Sequence, residues 1–232
     1  MVESLKDGSV NLIVNTHRHE DHIAGNAIIQ SRFGAEILAH PLAVPYLKDP
    51  SRLRLRAYQR FIWGSPAPSE GRPIGELVET NHHRFQVIHT PGHSPDHIAL
   101  YEQGEGLLFS GDAFVGGRDR TLRGDYNIWL IIGSLKKMAA LEPRMLFPGS
   151  GIVRRNPHEE LMSKIAYLED TAGRVLELHG KGLDYGRIRR ELFGREMPIA
   201  YYTLGHFSGR NLVRSYIEDR TAAEQGEDPR SF

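Results

Sequence analysis

The stretch Thr16-His17-Arg18-His19-Glu20-Asp21-His22 places three histidines and an aspartate within seven residues, directly after the apolar run Val10-Asn11-Leu12-Ile13-Val14-Asn15. A short, nearly continuous apolar run reads as a strand buried on both faces. On the turn that follows it, a His-x-His pair can aim two imidazoles at one divalent cation at roughly 2.0–2.1 Å. A lone His-x-His pair is more often part of a solvated polar loop. The added histidine and carboxylate at a strand exit favour a metal loop.

The same arrangement recurs along the chain. Arg84-Phe85-Gln86-Val87-Ile88-His89 reads as a strand running into Thr90-Pro91-Gly92-His93-Ser94-Pro95-Asp96-His97, where Pro91 and Gly92 force a turn. Leu107-Leu108-Phe109 ends in Ser110-Gly111-Asp112, and Met145-Leu146-Phe147 runs into Pro148-Gly149-Ser150-Gly151. Ligands bind outside the carboxyl ends of strands in open α/β sheets, so turns bearing the first cluster, His93, Asp112 and Ser150 can share one crevice.

Between these strands, Asp21 is predicted to cap a helix over residues 22–33 with Gly34 as its stop, followed by a strand at 35–39 and a short helix at 41–47. Residues 51–63 mix arginines with Leu53, Leu55, Phe61, Ile62 and Trp63. We read this segment as packed on the core, with a lid over a cleft as the alternative. A helix follows at 126–141. Beyond Asn156 the pattern is helical: one helix over 158–178, one capped by Asp184, one opened by Pro198 and one capped by Ser208. The expected division is a metal domain at 1–155, a helical, winged-helix-like segment at 156–220, and a polar tail at 221–232.

Composition narrows the chemistry. At 232 residues and 40 % hydrophobic content, the chain can bury a sizeable core. Lys plus Arg (29) balance Asp plus Glu (29), which removes the overall basic charge that gathers on nucleic acid. The absence of cysteine excludes disulfides, thiolate ligands and a cysteine nucleophile, leaving any metal to His, Asp and Glu. The first ten residues hold no apolar signal core and no long apolar run follows, so we expect a cytoplasmic protein without a membrane span.

Taken in order, His17-x-His19-x-Asp21-His22, Thr90-Pro91-Gly92-His93, Ser110-Gly111-Asp112 and Phe147-Pro148-Gly149 resemble the metallo-β-lactamase fold superfamily of metal-dependent hydrolases over residues 10–155. The continuation Ser94-Pro95-Asp96-His97 and the helical end are similar to its glyoxalase II-like branch, which includes β-lactamase-like protein 2. The resemblance implies an α/β (α+β) αββα sandwich. It implies that His17, His19 and His93 hold a first ion, that Asp112 bridges, and that Asp21 and His22 hold a second. The cofactor is then zinc, one or two ions, with iron or manganese as alternatives. Such an ion lowers the pKa of water from 15.7 towards about 7, so hydroxide held on the metal attacks a small thioester, ester, lactone or related acyl substrate, with Asp21 accepting or relaying the proton. His97 is read as structural.

Two departures qualify this. The family turn usually reads Pro-Gly-His-Gly, but Ser150 stands in the histidine's place, which weakens the second ion site. His206 could replace that ligand, though a structural role at a helix junction suits it better. Family members usually also carry about 50 residues before the His-x-His turn. The short lead predicts a sheet lacking its first strands, with either a missing leading segment or a second copy of the chain at the open edge. Alternative functions are phosphodiester or RNA cleavage, suggested by Arg187, Arg189, Arg190, Arg195, Arg210 and Arg214, a mononuclear iron enzyme resembling the persulfide dioxygenases, and a non-catalytic member.

Overall fold

Short β-branched runs punctuated by Gly and Pro turns fold here into two open sheets that meet at one end. The computed structural model describes residues 10–220, so the expectations for the first nine residues and for the tail at 221–232 lie outside the described residues. The first sheet is parallel, in the order β1 (Leu12–Asn15), β2 (Glu36–Ala39), β3 (Gly71–Pro73). The second has five strands in the order β4 (Leu77–Glu79), β5 (Arg84–His89), β6 (Ile98–Glu102), β7 (Leu107–Gly111), β9 (Met145–Pro148). It is antiparallel except where β9 runs parallel to β7. That parallel pairing sends Asp112 and Gly149 out of the same end of the sheet.

Three local expectations need correction. The helix expected at 22–33 is two helices, α1 (Glu20–Ile23) and α2 (Asn26–Phe33), and the N-cap of α1 is His19, not Asp21. The cause is tertiary. Asn26, the first residue of α2, exchanges side-chain hydrogen bonds with Asn15 at 2.8 and 3.2 Å, which fixes a fresh helix start beside β1. Gly34 does end α2, in the left-handed region at φ 65°.

The second correction concerns β1, where Leu12, Ile13 and Val14 are only partly buried; among the described residues β1 pairs with β2 alone. The third concerns residues 51–63. Leu55 is buried, but α4 (Ala57–Trp63) carries Phe61, Ile62 and Trp63 at 91, 59 and 52 % exposure, so the packing expected for them does not occur. The short helix expected before this segment is α3 (Val44–Lys48).

The main core lies on the five-stranded sheet. Leu108 and Leu146 pack under Ile132, Leu135 and Met138 of α5 (Ile128–Ala139), which continue into Leu161 and Leu168 of α6 (Pro157–Gly180) and Leu212 and Tyr216 of α9 (Gly209–Glu218). Each such side chain contributes about 1.5–3 kcal/mol on burial. The C-terminal helices therefore share one core with the sheet. A two-stranded ribbon of β8 (Leu122–Arg123) and β10 (Phe207–Ser208) adds a second tie. The expected caps are present: Asp184 accepts from the Gly186 and Arg187 amides at the start of α7 (Tyr185–Phe193), Pro198 opens α8 (Pro198–Tyr202), and Ser208 accepts from the Asn211 amide.

Candidate metal centre

The two sheets are joined where the histidines sit. The Ile98 amide donates to the Thr16 carbonyl at 2.8 Å, bringing the exit of β1 against the start of β6. Gly111 closes the junction with φ 48°, and a Cβ there would stand 2.8 Å from His97 Nε2 and 2.9 Å from Thr16 Cβ. Only glycine meets both demands.

His17, His19 and His93 converge from this junction. Their ring centroids lie 4.5 Å (His17 to His19), 4.7 Å (His17 to His93) and 4.7 Å (His19 to His93) apart. His19 Nδ1 and His93 Nε2 are 3.0 Å apart, while His17 Nε2 is buried with no hydrogen-bond partner. Thr16 Oγ1 holds His17 by the other nitrogen, Nδ1, at 3.2 Å. A tetrahedral ion at 2.0–2.1 Å needs donors about 3.4 Å apart. Donor nitrogens of these three histidines gather within 4.8 Å of one another, and His17 keeps a buried nitrogen without a partner, which fits such an ion.

A second group shares one of these histidines. His17, His22 and Asp112 also offer donor atoms within 4.8 Å of one another, and Asp112 Oδ2 lies 3.3 Å from His22 Nε2 and 3.6 Å from His93 Nε2. Asp112 thus stands between the two groups. Asp21 belongs to neither, although its Oδ2 is 3.6 Å from His22 Nε2, and Ser150 is exposed on its turn.

Electrostatics favours cation binding. Burial, followed by the mutual repulsion of the cluster, keeps His17 and His19 far below the usual imidazole range, and burial brings His93 down to about 4. These rings are neutral near pH 7 and offer lone pairs. Burial works to raise the Asp112 carboxyl, but its bond to His22 and the charges of His93 and His22 hold it below the ordinary range. Asp21 goes the other way, pushed up by burial.

Buried neighbours fix the ligand loops. His97 Nε2 accepts the Asp112 amide at 3.1 Å, so its proton sits on Nδ1 and donates to Thr90 Oγ1 at 2.8 Å. His97 is structural, as expected. The fully buried Asp96 accepts the Arg18 amide at 2.8 Å, which ties the His93 loop to the first cluster. Gly149 is confined by Asp112, because a Cβ there would lie 2.0 Å from Oδ1. His206 is not among these donors: its Nδ1 pairs with the Tyr58 hydroxyl at 2.7 Å, and its Nε2 is 3.8 Å from Asp125.

Several residues around the centre have no signature in the sequence. The buried Tyr126 hydroxyl is 3.2 Å from His93 Nε2. Glu20 is buried and accepts from Gln59 Nε2 at 2.8 Å, which ties α4 to α1. A cavity of about 810 Å³ is lined by His19, His93, Asp21 and Asp112 together with Ile62, Trp63 and residues of α8. Only the apolar residues of 51–63, read as a lid alternative, gave any signal for it.

Two open sheets flanked by helices, with a cluster of histidines and carboxylates at the strand exits, define an α/β architecture built around a candidate metal site. The metallo-beta-lactamase superfamily profile matches residues 1–150, and the chain belongs to that superfamily. A beta-lactamase-like protein 2 homolog of Drosophila melanogaster is 30 % identical over 166 residues, covering 68 % of this chain and 49 % of that protein. A hydroxyacylglutathione hydrolase of Pelagibacter ubique is 27 % identical over 162 residues, covering 67 % and 59 %. The chain spans about half the length of the curated relatives it matches. Among solved structures, a metallo-beta-lactamase family protein from Thermus thermophilus superposes with a TM-score of 0.70 at 20 % identity, over 97 % of this chain and 78 % of that one. A protein solved in a di-iron-bound form matches at 31 % identity and a TM-score of 0.51, over 64 % of this chain and 73 % of that one. Among the described residues, no helix is long and apolar enough to cross a membrane.

Proposed function

We propose that this chain is a metal-dependent hydrolase that splits a small thioester, ester, lactone or related acyl substrate with water. The observation that carries the reading is the His17, His19, His93 group, in which His17 Nε2 is buried without a hydrogen-bond partner. His17, His19 and His93 would hold the ion, and Asp112, with His22, would border it on the cavity side. Zinc suits this donor set, and iron is supported by the relative solved in a di-iron-bound form. A divalent ion there supplies a Lewis acid and brings the pKa of water towards neutrality.

The chain's own residues supply the rest. Asp21 lines the cavity with a side chain 30 % exposed and a carboxyl raised by burial, which suits a group that accepts a proton and passes it on. The Tyr126 hydroxyl, beside His93, is positioned to donate to an oxygen of the acyl group. Several hydroxyacylglutathione hydrolases among the relatives support acyl chemistry.

Phosphodiester cleavage is less well supported. Among the described residues, the lysine and arginine lining the cavity are already engaged, Arg123 by Asp125 at 2.7 and 2.9 Å and Lys164 by Asp119 at 2.7 Å. The test is a metal count on purified protein with a panel of esters, thioesters and lactones, before and after chelation. The reading predicts bound metal and chelator-sensitive hydrolysis; metal-free protein from metal-replete cells would sink it.

A further inference from the structure

The wall facing the metal centre is unusually apolar for a surface in water. Ile62 and Trp63 of α4 and Ile199 and Tyr202 of α8 are 59, 52, 41 and 81 % exposed, with Val115 between them at 48 %. All five line the cavity that also contains His19, His93, Asp21 and Asp112. They come from three separate parts of the chain, 62–63, 115 and 199–202, so no local periodicity brings them together. Scattered exposed apolar residues need no explanation, but several converging on one cavity beside a reactive centre mark a ligand wall.

The polar groups of the cavity limit the occupant further. Arg123 is held by Asp125 and Lys164 by Asp119. Glu20, Asp21, Asp112 and Asp119 line the same space. Among the described residues, the lining of this cavity therefore holds no unengaged lysine or arginine for an anionic tail and offers an apolar wall instead. At about 810 Å³ it has the size of sites that enclose drug-sized ligands.

We infer that the substrate carries an apolar acyl group of medium length, seated between α4 and α8 with its carbonyl at the metal centre, and that peptide-like thiol esters rich in carboxylates are poor substrates. This rests on the hydrolase reading above. In the reaction, the oxygen of water bonds to the acyl carbon, the carbon–sulfur bond breaks, and the thiol leaves with a proton.

The test uses zinc-loaded full chain with S-acyl-N-acetylcysteamine thioesters from acetyl to decanoyl, beside S-lactoylglutathione. Burial of each added methylene gives about a two- to fourfold rise in kcat/KM until the cavity is filled. In Ile62→Ser and Ile199→Ser, the ratio of octanoyl to acetyl kcat/KM falls at least threefold. Calorimetric titration of the metal-free protein with butanoate, hexanoate, octanoate and decanoate reads the wall without turnover. Affinity that rises with chain length, and rises less in the two variants, supports the inference even if no thioester is hydrolysed, in which case the hydrolase reading alone fails. Efficient S-lactoylglutathione turnover with no chain-length dependence in either assay keeps the hydrolase reading and overturns the inference.

Discussion

Individual side chains around the centre act mainly by holding other groups still. His97 is an example: its Nε2 is committed to the Asp112 amide and its Nδ1 to Thr90, so it sets where Asp112 leaves the sheet. Thr90→Val removes one buried partner of that ring. We expect a stability loss of about 1–3 kcal/mol in urea unfolding and a 10- to 100-fold loss in metal affinity by competition with a chelator. His206 gives a separate readout, away from the metal donors. Burial, then the charges of Arg123 and Arg56, brings it down to about 4 from an ordinary 6.5. Between those values the unfolded chain binds a proton that the folded chain refuses, so stability is lost as pH falls from 6.5 towards about 4. Above 6.5 the group contributes no slope. His206→Gln, which can still pair with Tyr58, should shrink the fall in urea midpoint across that window; an unchanged pH profile would count against this account.

At the level of elements, the strand exits determine the centre. Gly149 follows β9 and its amide donates to the Gly111 carbonyl at 2.8 Å, so the two exits are stitched together. Because a Cβ at 149 would overlap Asp112 Oδ1, Gly149→Ala should push the carboxylate aside. The expected result is at least a tenfold weaker zinc affinity with little change in circular dichroism, since neither β7 nor β9 loses a core side chain. Retained affinity would mean that the turn yields instead of Asp112. The elements also show why the turns were readable and α4 was not. Strand ends are marked by Gly and Pro, whose backbone limits act locally. Whether Phe61, Ile62 and Trp63 are covered depends on what packs over α4, and the sequence of α4 holds no record of that. Asp21 failed as a helix cap for a related reason, because the Asn15–Asn26 pair starts α2 four residues later.

For the molecule as a whole, a metal held by the proposed donors would couple binding to folding, because those residues come from both sheets. Zinc bound to the folded state alone stabilises by about 2.7 kcal/mol at a hundredfold excess over its Kd, so chelation should lower the Tm. The two donor groups are unequal. The first has three imidazoles, whereas the second shares His17 and adds only His22 and Asp112, and the turn after β9 carries Ser150, whose hydroxyl is a poor zinc ligand. Titration should find one tightly held zinc and a second removed by dialysis, and Ser150→His should raise retained zinc towards two equivalents. Two tight ions in the unaltered chain would show that Asp21 or another group completes the second position.

The order of motifs, from the first histidine cluster to Gly149, was sufficient to identify the superfamily, the α/β sandwich and the histidines that could hold an ion. Those features are local: a strand, a turn and a ligand type can be read from adjacent residues. Tertiary structure decided how Tyr126 meets His93, that His206 serves Tyr58, and that the core runs unbroken from the sheet into α9. It also decided that residues more than 130 positions apart form one apolar wall beside the metal centre. Burial and contact between distant segments have no sequence period, so they emerge only when the chain is folded.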